Sequence, residues 1–134
     1  MEAAIEPSGE QVKRLASSTD TEPIVMVNLL RFKEVADGVD AEDGISGEEA
    51  YGRYGAGVAP YLQAAGGRIL AAVRCEEGVI GPEEGDWDMV ILAAYPSRQA
   101  FLEMVSDPGY QEVHRHRAAA LADSRLILSK SQVP

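Results

Sequence analysis

The sequence predicts an α+β fold: a four-stranded antiparallel sheet, met in the order strand, helix, strand, strand, helix, strand, with both helices on one face. Three observations carry this. Two apolar runs, 24–30 and 87–95, read as strands. Two segments between and after them repeat their apolar residues at helical spacing. The chain of 134 residues fits one domain with a real core.

The elements follow in order. Ser8, with Gln11 three residues on, has the capping-box pattern, and Val12, Leu15 and Ala16 then repeat at helical spacing. Pro23 stops this segment, so residues 1–22 read as a helical extension to a core spanning 23–130. The β-branched run 24–30 is the first core strand. Residues 33–45, acidic and glycine-containing, read as a mobile loop.

Ser46 and Glu49 repeat the capping pattern. Behind them Tyr51, Tyr54, Val58, Tyr61, Leu62 and Ala65 fall on one helix face. Gly52, Gly55 and Gly57 each weaken that helix by roughly 1 kcal/mol, and Pro60 removes a donor and should bend it. Packing of the tyrosine face must hold it. Gly66-Gly67 ends it.

Residues 68–75 alternate as a strand, with Val79-Ile80 continuing it beyond a turn. Residues 87–95 form the next strand. Pro96-Ser97 opens a helix with Ala100, Phe101, Met104 and Val105 on its apolar face. Asp107-Pro108 restarts it as N-cap and first-turn proline, and it runs to about Ala122. Residues 125–129 are the last strand. Right-handed crossovers make this a ferredoxin-like βαββαβ arrangement.

Composition narrows the function. The net charge of −10 repels phosphate backbones and anionic membrane surfaces, which argues against nucleic-acid and membrane partners. No apolar stretch approaches the ~20 residues that span a bilayer. The N-terminus lacks the basic-then-apolar pattern of a signal peptide. The single cysteine, Cys75, makes no internal disulfide and no cysteine-based zinc site, and its strand pattern reads as a small core residue. These features point to the cytoplasm.

The two best strands are apolar on both faces. Ile24, Met26 and Leu30 oppose Val25, Val27 and Leu29; Trp87, Met89, Ile91, Ala93 and Tyr95 oppose Val90, Leu92 and Ala94. A half-solvated strand would alternate polar and apolar residues. Two helices cover one face only, and each large side chain left in water forgoes about 1.5–3 kcal/mol. A second copy, sheet on sheet, is the simplest cover. The alternative is that the N-terminal helix and acidic loop fold over it.

Chemistry-bearing residues concentrate in 110–121. At ~100° per residue, Tyr110, Val113, His114, Arg117 and Leu121 share one side of a helix. Arg117 therefore sits in an apolar stripe and needs an anionic partner. That partner is internal, with Asp88 or Asp123 as candidates, or is a ligand carboxylate or phosphate; a stem snorkelling to water is the third option. His114 and His116 lie ~200° apart, too far round the helix for a metal pair. Either alone could act as acid or base. Asn28, the lone polar residue of its strand, needs a hydrogen-bond partner on a neighbouring segment or on a ligand. Tyr51, Tyr54 and Tyr61 read as core packing or as a binding face. Trp87 and Tyr95, bracketing the third strand, carry the same two readings. No Rossmann glycine motif, P-loop, serine-hydrolase elbow, HExxH or RNA-recognition motif occurs.

The ordered set Met26-Val27-Asn28-Leu29-Leu30-Arg31-Phe32-Lys33, Gly66-Gly67-Arg68, Trp87-Asp88, Tyr95-Pro96-Ser97, Phe101, Asp107-Pro108-Gly109-Tyr110, His116-Arg117 and Asp123-Ser124-Arg125-Leu126 resembles the family known as domain of unknown function 1330. The resemblance covers roughly residues 24–128. It implies a dimeric α+β barrel, in which ferredoxin-like protomers pack their sheets together. The wider superfamily includes cofactor-independent monooxygenases, muconolactone isomerases, haem-dependent chlorite dismutase relatives and ligand sensors, so fold leaves function open.

Two hypotheses remain. The first is an enzyme without metal or organic cofactor, acting on a small oxygenated anionic compound. Arg117 would hold the charge, Asn28 would orient a carbonyl or enolate, and Tyr54, Tyr95 or His116 would move a proton, with Trp87 and Tyr95 lining the ligand. The second is a non-catalytic homodimer that binds a metabolite or a protein. An Arg117 with no internal carboxylate, facing a cavity, favours the first.

Overall fold

The computed structural model describes residues 2–133. Helix α1 (Gly9–Ser17) precedes strand β1 (Ile24–Phe32). A 3₁₀ turn (Gly38–Asp43) leads to α2 (Gly47–Ala64), and strands β2 (Arg68–Arg74) and β3 (Met89–Tyr95) follow. Helices α3 (Arg98–Ser106) and α4 (Pro108–Ala120) then lead into β4 (Leu121–Ser129). The sheet is antiparallel in the order β2-β3-β1-β4, the ferredoxin-like arrangement. Among the described residues no helix is long and apolar enough to cross a membrane.

The helix starts obey local chemistry. Ser8 and Gln11 form the reciprocal capping box of α1. The hydroxyls of Ser46 and Ser97 accept the Glu49 and Ala100 N–H groups at 3.1 Å each. Asp107 accepts the Gly109 N–H at 2.7 Å, so the second helical segment breaks into α3 and α4 at Asp107-Pro108. Helix α2 runs on through Pro60 to Ala64, and Gly66, at φ +76°, ends it.

Of the three weakening glycines in α2, Gly57 has a packing reason. A Cβ there would lie 2.8 Å from Val113 Cγ1, so its absence lets α4 approach. Around that contact Ile24, Met26, Leu62, Ala93, Tyr95, Met104 and Tyr110 are buried in one cluster, flanked by Tyr54 and Tyr61. A second cluster around Leu30, Ala50, Ala120 and Leu121 fills the other end, with Tyr51 packed against it.

Four sequence expectations are corrected. Strand β3 begins at Met89, not Trp87, because Asp88 is drawn sideways: its carboxylate accepts the Phe32 N–H at 2.8 Å and its own N–H donates to Leu30 O at 2.7 Å. Val79 and Ile80 are exposed in the connection and continue no strand. Cys75 is exposed, because it lies just past the end of edge strand β2, where no second layer covers it. Strand β4 starts at Leu121, with no loop after α4.

The helix-free face is what the two-faced strands predict. Directly opposed residues share a face, so Val25, Val27 and Leu29 lie with Ala94, Leu92 and Val90 of β3, and Ile127 of β4 lies beside Val27. Both segments that could have covered this face sit elsewhere. Helix α1 packs on α3, and the 3₁₀ turn packs on α4.

Candidate functional site

The helical side of the sheet is incompletely filled. Between it, α1, α3 and α4 lies a cavity of about 620 Å³, in the size range of small-molecule sites. Met26, Phe101, Met104 and Leu128 give it apolar walls. Asn28, Tyr54, Tyr95, Tyr110, His114 and Arg117 bring polar groups into it, and residues 4–7 close one side. A smaller, shallower hollow of about 370 Å³ lies beside Gly38 and Arg115.

Arg117 is the centre of this site. Its residue is 7% exposed, and its guanidinium donates to the Ile5 carbonyl at 2.8 Å. Among the described residues no carboxylate pairs with it. Both internal candidates are engaged elsewhere. Asp123 accepts from Arg125 at 2.6 Å, from the Ala4 N–H at 2.8 Å and from Arg31 at 3.5 Å, while Asp88 holds the Phe32 N–H. The Ala4 N–H and then Arg125 hold the Asp123 carboxyl below its usual range, against the cost of its desolvation. A guanidinium carries five N–H donors, and a cation withdrawn from water without a counter-ion is costly. Arg117 is thus a buried cation whose partners among the described residues, the Ile5 carbonyl and the Tyr51 hydroxyl, are both neutral.

The tyrosines stay neutral. Burial pushes the Tyr51 phenol well up, with the neighbouring Arg117 opposing it. Burial, then Tyr110, does the same to Tyr54. Tyr95 is raised chiefly by burial, and its ring meets Phe101 edge-on at 5.1 Å. Tyr95 lines the cavity, and its hydroxyl has no hydrogen-bond partner among the described residues.

A polar chain leaves the cavity. Tyr54 and Tyr110 hydroxyls lie 3.0 Å apart, Tyr110 lies 3.3 Å from His114 Nδ1, and His114 Nε2 lies 2.6 Å from Glu6 Oε1. Asn28 is oriented by the sheet. Its amide nitrogen donates to the Met26 and Ile91 carbonyls at 3.3 Å each, which leaves its side-chain oxygen as an acceptor. Asn28 was expected to orient a carbonyl or enolate; with its amide nitrogen committed to two backbone carbonyls, it presents an acceptor to the cavity.

The fold therefore gathers Arg117, Tyr54, Tyr95 and Asn28 around one cavity and excludes two expected residues. His116 points away: its Nδ1 lies 2.9 Å from Asp40 Oδ2, and Arg53 reaches the same carboxylate at 2.8 Å. Trp87 lies before β3, with the Arg125 guanidinium 5.3 Å from its ring centre, and lines no part of the cavity. Sequence reasoning placed Tyr110 and His114 on the Arg117 side of the helix, seven and three residues before it, and named His114 a candidate acid or base, but gave Tyr110 no role and missed Glu6. Glu6, 108 residues from His114, left no signal. Among the described residues no group of three or more His, Cys, Asp or Glu side chains is placed to hold a metal.

Comparison with known proteins follows this geometry. A protein of unknown function from Rhodopseudomonas palustris is 38% identical, aligned over 99% of this chain and all of its own, with a TM-score of 0.89. A putative antibiotic biosynthesis monooxygenase from Caulobacter crescentus shares the fold at 12% identity and a TM-score of 0.55, covering 84% of this chain and 92% of its own. The cofactor-independent oxygenase SnoaB from Streptomyces nogalater shares it at 18% identity and a TM-score of 0.50, over 84% and 96%. No curated protein matches the sequence. The family profile for domain of unknown function DUF1330 matches residues 41–130, from the 3₁₀ turn to the end of β4, and the chain belongs to that family.

Proposed function

We propose that this protein binds a small, oxygenated, anionic organic compound in the cavity, and acts on it as a cofactor-independent monooxygenase- or isomerase-like enzyme. The observation that carries this reading is the buried Arg117 guanidinium, without a carboxylate partner among the described residues, facing about 620 Å³ of space. Its fork geometry suits a carboxylate. Tyr54 is the proton-moving group, since it lies on the cavity wall beside Tyr110, and His116 is not part of the site. Tyr95 and Asn28 orient the ligand. The active form is a homodimer that covers the apolar sheet face of each copy with that of the other, as the half-buried Val25, Val27 and Leu29 require.

A thermal-shift screen of aliphatic and aromatic carboxylates on the full chain tests this reading. Expected are hits among anionic compounds whose stabilisation disappears in Arg117→Ala. Stabilisation that survives this substitution overturns the clamp. Hits that the protein binds but leaves chemically unchanged favour a passive metabolite-binding module instead.

A further inference from the structure

The polar chain has a direction, and the direction constrains the ligand. An ionised carboxylate only accepts hydrogen bonds, so in a neutral His114 ring the proton belongs on Nε2, 2.6 Å from Glu6 Oε1. His114 Nδ1 is then a bare acceptor, and the Tyr110 hydroxyl donates to it. Its proton committed, Tyr110 receives the Tyr54 hydroxyl proton at 3.0 Å. Tyr54 accordingly turns an oxygen lone pair, not a proton, to the cavity. Asn28 does likewise, since both its amide protons go to backbone carbonyls. Beside the Arg117 cation the cavity thus offers two oriented acceptors.

We infer that Tyr54, Tyr110, His114 and Glu6 form a one-way proton wire, and that the ligand is a hydroxylated organic carboxylate whose hydroxyl the wire deprotonates. This rests on the anion-binding reading above for the carboxylate half of the ligand. The ligand O–H bond breaks as its proton passes to Tyr54. Tyr54 gives its own proton to Tyr110, and Tyr110 gives its own to His114 Nδ1. The products are a ligand oxyanion near Arg117 and an imidazolium beside the Glu6 carboxylate, with no electron transferred and charge conserved. Glu6 acts through His114, as a positioning residue carried by the segment that also meets Arg117 through Ile5.

Two measurements on the full chain test the wire. Nitrogen-detected NMR of histidine-labelled protein, with His116→Gln to assign the signals, reads the His114 tautomer without any ligand. A proton on Nε2 is expected, and Glu6→Ala should lose that preference. A proton on Nδ1 would reverse the hydrogen bonds and overturn the proposal. The second measurement uses 6-hydroxy-2-naphthoate and its 6-methoxy analogue as probes. The hydroxy compound should bind at least about tenfold tighter, the worth of one hydrogen bond to a buried acceptor. It should also absorb as the naphtholate when bound at neutral pH. At saturating probe, His114→Gln should leave it absorbing as the neutral naphthol. Naphtholate absorption that persists in His114→Gln, or equal affinity for the two probes, overturns the wire. Failure of the anion seat looks different: both probes then keep their affinity in Arg117→Ala, while the tautomer and the absorbance still judge the wire.

Discussion

His116 Nδ1 lies 2.9 Å from Asp40 Oδ2, and the Arg53 guanidinium meets Oδ1 of the same carboxylate at 2.8 Å. Asp40 is 1% exposed. The histidine that reads from sequence as a candidate acid or base is therefore a brace between α4 and the 3₁₀ turn.

Removing the Asp40 charge should destabilise the fold without touching the cavity. Asp40→Asn keeps the shape but leaves Arg53 and His116 without their shared anion. Arg53 is part-exposed and recovers some hydration, so the expected loss is about 2–3 kcal/mol rather than the full penalty of a broken buried pair. Urea denaturation measures it. His116→Gln should cost less and should leave the thermal shift given by any carboxylate hit unchanged.

The proposed homodimer pairs through the helix-free face. Light scattering of the wild-type protein should give close to twice 14.4 kDa. Val27 stands on that face with Leu92 and Ile127 on either side, so Val27→Glu places a charge in the proposed interface. The variant should run as a folded monomer with an unchanged far-ultraviolet spectrum. A wild-type monomer at high concentration would contradict the assembly.

The glycines of α2 divide into two kinds. Gly52 and Gly55 have open space where a Cβ would stand, whereas Gly57 has Val113 there. Gly52→Ala and Gly55→Ala should each stabilise the protein by about 0.5–1 kcal/mol through helix propensity. Gly57→Ala should instead destabilise it by about 1 kcal/mol, as overpacking outweighs that gain. Chemical denaturation of the three variants side by side checks the order.

Acid should loosen the junction between α1 and the sheet. Asp20 accepts from Lys130 at 2.7 Å, from the Glu22 N–H at 2.9 Å and from Arg98 at 3.2 Å. Lys130 foremost, then the Glu22 N–H, holds its carboxyl far below the usual range against its desolvation. Because the folded pKa is the lower one, the stabilisation is present above the unfolded value of about 3.9 and is lost as pH falls below it. The urea midpoint should drop across that window. Asp20→Asn should lower the midpoint at neutral pH and flatten its decline in acid.

Sequence and tertiary structure divided the labour according to the range of the forces involved. Caps at Ser8, Ser46, Ser97 and Asp107 were legible because each is a bond between residues two or three apart. The two-faced strands announced an uncovered sheet face because side chains alternate at a period of two. The helical repeat, about 3.6 residues, put Arg117 in an apolar stripe beside Tyr110 and His114, and put His116 on the far side. What the chain alone left open was each partner's identity. Asp123 sits near Arg117 in sequence, yet it is captured by Arg31, Arg125 and the Ala4 N–H. Cys75 alternates like a core residue, but β2 proved to be an edge strand with no layer over that end. Glu6 reaches His114 across 108 residues. No local rule encodes such pairings, because they depend on which segments the folded sheet and helices bring within the few ångströms over which hydrogen bonds and ion pairs act.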